Sequence, residues 1–293
     1  MRRALLGTAL LLMLALAGGS AQAAITLDVV ATAASATSAG TTLSWSHTAG
    51  AGSSVFLIVG VAFRVDNSGS GPPGQGTYIA TGGITANSLA LTCVVAITDN
   101  NTGSCGTAGG AGSQAPFTRS EIWYRNLGTL GSSTAESISV TITPGNSGAN
   151  TAIAATSITY FSTASEASGG DAYSNNGVTG KTSISPSLTV TATSSQVVVS
   201  NLAIARSSTS VASTPNTRLS DVLDTITGSV VGHIQDATSS ASATNPTMGW
   251  TWTTASPYAL TAVVLTATAT AAKRKGQTVI GALQPPGGVG SSE

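Results

Sequence analysis

The chain has 293 residues, with 11 basic and 11 acidic side chains, so charged residues make up 8% where a soluble protein carries about a quarter. A surface that holds nucleic acid needs clustered basic charge, and this balance excludes one. With 41% hydrophobic residues and no net charge, the composition also excludes a disordered chain.

Met1-Arg2-Arg3 is a short basic start, Ala4 to Ala17 an apolar core of Leu and Ala, and Ala21-Gln22-Ala23 a small-x-small cleavage pattern. Together they predict a secretory signal peptide over residues 1–23, hence a secreted or cell-surface protein. The apolar core is too short for a comfortable membrane span. Loss of Arg2 and Arg3 leaves nine basic against eleven acidic residues. Residues 24–270 read as a single β-sandwich domain, since roughly 250 residues suffice for one large all-β core. Residues 271–293 read as a basic, then Pro/Gly-rich, flexible tail.

The mature chain opens with Ala24-Ile25-Thr26-Leu27-Asp28-Val29-Val30, whose alternation predicts a strand, followed by an Ala/Thr/Ser connector to Gly40. Ile25, Leu27 and Val29 form its apolar side, either within its own sheet or donated to a neighbour's open edge. Thr41 to Arg64 is the centre of the chain. Leu43, Trp45 and His47 alternate with hydroxyls, Gly50 to Ser54 turns, and Val55–Phe63 is an apolar run rich in β-branched and aromatic residues. Such a run predicts a strand buried on both faces. Asp66 to Gly83 and Gly103 to Gln114 are Gly-rich loops.

Further strands are predicted at Ile84–Thr85, Leu89–Ile97, Arg119–Tyr124, Ile138–Ile142, Ile153–Phe161, Leu188–Ala192, Val197–Ala205, Val230–Ile234, Met248–Thr253 and Ala259–Ala267. Spaced about 10–15 residues apart, they predict an all-β, antiparallel, jelly-roll-like sandwich with long Gly/Ser-rich loops. Only Arg218 to Asp224 has helical character.

Cys93 and Cys105 are the only cysteines. In an oxidising compartment an isolated pair this close predicts a disulfide, worth about 2–3 kcal/mol through closure of the intervening loop. Thr42-Leu43-Ser44-Trp45-Ser46-His47-Thr48, the Leu57–Val61 run, and Ile122-Trp123-Tyr124-Arg125-Asn126 resemble a module of secreted and surface-attached bacterial proteins. That resemblance implies a jelly-roll-like sandwich without an assigned activity. The chain departs from the module's Tyr-Gly-Gly at Ala86-Asn87-Ser88.

Candidate sites are few. His47 and His233 each lack a second ligand at metal spacing, and His47 shares a strand face with Trp45, which suits a packing pair. Glu121 with Asp171, Asp221 or Asp224 gives conceivable carboxylate pairs, yet Arg119 and Arg125 on the same strand face favour an ion pair. Asp99 to Gly103 offers oxygen ligands without a calcium-loop spacing, and reads as a turn. Trp250 and Trp252 project from one face, with Tyr258 nearby, and form either core or a platform for a sugar. No catalytic residue, metal or cofactor is expected. The sequence favours a non-catalytic extracellular structural or adhesive protein whose partner is itself, as an oligomer or filament; the alternative is a lectin-like module for surface glycans.

Overall fold

The fold is described from a computed structural model, which defines residues 24–37, 42–66, 79–99, 105, 117–142, 150–166, 173–174, 182–183, 186–193, 196–205, 212–214, 221–225, 230–238, 247–251 and 255–267. The signal-peptide segment and the tail from residue 271 lie outside them. Every regular element described is a strand, and all the pairings are antiparallel. Among the described residues no helix is long and apolar enough to cross a membrane.

The N-terminal half comprises β1 (Thr26–Thr37), β2 (Thr42–Ala49), β3 (Gly52–Asp66), β4 (Ile79–Ala86), β5 (Leu89–Ala90), β6 (Thr92–Thr98), β7 (Phe117–Leu130), β8 (Thr134–Ile142) and β9 (Asn150–Phe161). They form an inner sheet ordered β1-β9-β3-β7-β6 and an outer sheet ordered β2-β8-β4-β5. The C-terminal half comprises β10 (Thr163–Glu166), β11 (Tyr173–Ser174), β12 (Thr182–Ser183), β13 (Ser187–Thr189), β14 (Val197–Ala205), β15 (Ala212–Thr214), β16 (Asp221–Thr225), β17 (Val230–Thr238), β18 (Thr247–Thr251) and β19 (Ser256–Ala267). Its inner sheet runs β10-β19-β14-β17-β16, with β11 and β12 also on β19, and its outer sheet runs β13-β18-β15.

The two orders are the same. Replacing β1, β9, β3, β7 and β6 by β10, β19, β14, β17 and β16 converts one inner sheet into the other, and β2, β8 and β4 become β13, β18 and β15. The described strands therefore repeat one topology twice, a structural duplication stacked as four antiparallel sheets. Leu57, Val59, Val61 and Phe63 of β3 pack with Leu43, Ile84, Ile138 and Val140 of the first outer sheet. On the opposite side of the same strand, Ile58 packs with Val197, Val199, Val263 and Leu265 of the second inner sheet. That double burial is why Val55–Phe63 needs apolar residues at successive positions rather than alternate ones. The fourth layer closes on Val198, Leu202, Leu260 and Val264 with Leu188, Met248 and Trp250.

Small residues set the seam between the inner sheets. Ala62 and Ala203 are equivalent, as are their respective partners Ala154 and Ala259, and all four meet in one cluster. Each half thus presents the same patch to the other, the self-complementary arrangement of a two-fold dimer built into one chain.

Two local expectations change. The connector predicted before Gly40 continues as strand, because β1 extends to Thr37 along β9. Of the Arg218 to Asp224 stretch read as helical, residues 218–220 lie outside the described residues, and Asp221 to Asp224 are extended in β16 and pair with β17. Pairing along a whole strand outweighs a short helical pattern. At the β4–β5 hairpin, Asn87 and Ser88 both have positive φ, 48° and 64°, which is the type I′ geometry that twists with the strands.

Candidate functional site

The densest polar arrangement lies where β1, β2 and β9 meet. Trp45 and His47 sit two residues apart on β2, and Ser157 and Thr159 two apart on β9. Because side chains alternate along a strand, both pairs face the same space between sheets. Trp45 Nε1 donates to Ser157 Oγ at 2.9 Å, and His47 Nε2 lies 3.1 Å from Thr159 Oγ1. Thr159 donates its own proton to Asp28 Oδ2 at 3.0 Å, and the Gly50 N–H donates to the same oxygen at 2.6 Å.

This chain of bonds assigns the histidine tautomer. With the Thr159 proton committed to Asp28, its oxygen accepts from His47 Nε2–H, leaving Nδ1 as the lone-pair nitrogen. Nδ1 is buried without a hydrogen-bond partner. Burial accordingly pushes the His47 pKa below the usual histidine value, and the Asp28 charge opposes that only in part. His47 itself is 1% exposed. Chemically the group ties β1 and β2 to β9, with His47, Ser157 and Thr159 buried and Trp45 and Asp28 half-buried at its edge.

Alongside, directly opposite His47 in the β2–β8 pairing, stands Glu136. Its Oε2 accepts from Asn87 Nδ2 at 3.0 Å and lies 3.6 Å from Arg125 Nη1, which donates to the Ala86 carbonyl at 2.6 Å. Burial raises the Glu136 pKa, while Arg125 draws it down. Asn87 also exchanges bonds with Ala135 and Ser137, so its side chain extends the ladder past the hairpin tip.

Glu121 occupies the interior rather than a cleft. Its carboxylate pairs with Arg119 Nε and accepts from Trp123 Nε1 at 2.7 Å, and all three residues are buried. Arg119 also lies over the Phe63 ring, 6.0 Å from its centroid. Of the carboxylates considered with Glu121, Asp171 lies outside the described residues. Asp221 and Asp224 fall on β16, in the second inner sheet.

The aromatic platform is corrected at two of its three positions. Trp250 is 0% exposed and Tyr258 3%, because β18 is the middle strand of its sheet and turns Trp250 into the core against the second inner sheet. Neither ring is presented to a sugar. Trp252 lies outside the described residues.

Cys93 and Cys105 form the expected disulfide. Asp99, at the end of β6, accepts from the Thr118 N–H at 3.0 Å, and burial raises its pKa to about 6 despite nearby Arg64. The rest of the Asp99–Gly103 turn lies outside the described residues. Among those described, no three His, Cys, Asp or Glu side chains gather as a metal site. His233 is in β17. Ile25 and Leu27 are half-buried against the seam between the inner sheets, and Val29 is opposite Thr159.

Sequence reasoning missed Asp28 and Thr159. Asp28 had a signal, as the single charged residue in an uncharged strand; Thr159, one hydroxyl among many, had none. The arrangement defines an all-β, disulfide-bearing protein with buried polar ties between strands. Comparison with protein-family models, curated proteins and solved structures gives no match.

Proposed function

We propose that this is a non-catalytic, extracellular structural or adhesive β-sandwich protein that assembles with copies of itself. One observation supports the reading above others: His47 and the carboxylates Asp28, Glu121 and Glu136, buried or half-buried in the described core, each bond to other parts of the same chain. His47, Asp28 and Thr159 bind strand to strand, Glu121 is held by Arg119 and Trp123, and Glu136 by Asn87 and Arg125. Groups that act on a substrate are held in reach of it, whereas these are consumed in cohesion. Export is read from residues 1–23, and the disulfide suits an oxidising compartment.

Electron microscopy with size-exclusion chromatography on the signal-cleaved protein tests the reading. Ordered oligomers or filaments are the expected result. A monomer at every concentration, with no particles, overturns assembly.

A further inference from the structure

We propose that β1 is an exchangeable strand, and that in the assembled form its place on β9 is taken by β1 of a second copy of this chain. The inference rests on the assembly reading and adds the joint.

Position comes first. Among the described residues β1 is an edge strand that pairs in its sheet with β9 alone, and only residues 38–41 separate it from β2 in the other sheet. Its removal leaves the pairings of β9, β3, β7 and β6 untouched. Within its first half the register with β9 shifts twice, between Leu27 and Val29 and between Val29 and Thr32, so ladder bonding is interrupted there. Asp28 compensates as a latch on Gly50 and Thr159.

The edge strand has the same role in both halves. β10, the counterpart of β1, likewise takes the edge of its sheet on β19, and it follows β9 with only Ser162 between Phe161 and Thr163. The edge of β9 that β1 covers is a backbone ladder that an extended strand completes by main-chain hydrogen bonds, whichever copy supplies it.

The occupant follows from chemistry. β9 has no charged residue and β1 has only Asp28, so nothing repels an identical chain, and edge charges that normally prevent such pairing are missing. The Gly50 N–H and the Thr159 hydroxyl form a receptor for a carboxylate at one register position. β1 itself carries that carboxylate, which selects a second copy over an unrelated peptide.

Thr37 and Ala152 are directly opposite in the β1–β9 pairing. A chain carrying Thr37→Cys and Ala152→Cys, assembled and then oxidised, is expected to give a disulfide-linked ladder on non-reducing electrophoresis. A mixture of the two single variants is expected to give a linked pair. Linkage confined to monomers while particles persist in the microscope overturns strand exchange and leaves assembly standing; absence of particles overturns both. If this pair fails to fold, Thr26→Cys with Phe161→Cys, opposite at the other end of the strand, puts the same question.

Discussion

Gly60 and Asn201 hold the same place in the two halves of the chain: each lies opposite a buried threonine of its neighbouring strand, Thr156 for Gly60 and Thr261 for Asn201. Where the first half has no side chain, the second sends an amide across the seam. Asn201 Nδ2 donates to the Val61 carbonyl at 2.9 Å, with Ser120 Oγ at 2.8 Å and the Glu121 carbonyl at 3.2 Å also in reach. Ser120 returns a bond to the Asn201 carbonyl at 2.8 Å. The result is a hydrogen-bonded centre in an otherwise apolar interface, which fixes how the inner sheets register.

Asn201→Ala leaves those acceptors buried without their donor, at a cost of about 1–3 kcal/mol. Urea denaturation should show the midpoint falling by a corresponding amount, with the slope unchanged. An unaltered midpoint would mean the amide contributes nothing to the seam.

Trp250→Ala empties a filled core position and should cost about 3–5 kcal/mol. Chemical denaturation reads the loss directly. A fully stable variant with weakened binding to insoluble polysaccharide would instead place the ring at the surface.

The legible and illegible parts of this fold differ for physical reasons. Val55–Phe63 announced a doubly buried strand because both of its faces meet apolar layers, and Cys93 and Cys105 announced their bond by being the only thiols. The duplication was hidden because packing preserves positions more than residues. Phe56-Leu57-Ile58 and Val197-Val198-Val199 fill equivalent places, and identity survives at pairs such as Ala62 and Ala203 or Thr156 and Thr261. Trp250 was ambiguous for another reason: alternation says which residues share a face, and only the layer above says whether that face is wet.

Acid should act on His47 and Asp99 in opposite senses. For His47 the folded pKa is below the unfolded one, so between the two values the unfolded chain binds more protons and stability falls as pH drops below about 6.5. His47→Gln should flatten that decline. Equilibrium unfolding from pH 7 to pH 5 measures it, and an identical decline in the variant would remove His47 as its source.

For Asp99 the folded pKa is raised from 3.8 to about 6, so the folded chain keeps a proton that the unfolded chain loses, and stability falls as pH rises across that window. Asp99→Asn retains an acceptor for the Thr118 N–H without the buried charge. It should stabilise the protein at pH 7 by up to about 3 kcal/mol and have little effect at pH 4. Equal effects at both values would contradict the titration.

A Cβ on Gly50 would collide with the Asp28 carboxylate, the group nearest to it. Gly50→Ala should therefore push Asp28 off its latch and expose residues 24–37 to proteolysis several-fold faster, with the remaining core resistant. Unchanged cleavage of that segment would show that the latch does not hold β1.

The most direct test of β1 as a lightly held strand on a rigid duplicated core is native-state amide hydrogen exchange, resolved by strand. The account predicts that β3, β9, β14 and β19 exchange only through global unfolding, and that β1 opens at markedly lower free energy without them. Protection of β1 equal to that of β3 would contradict it.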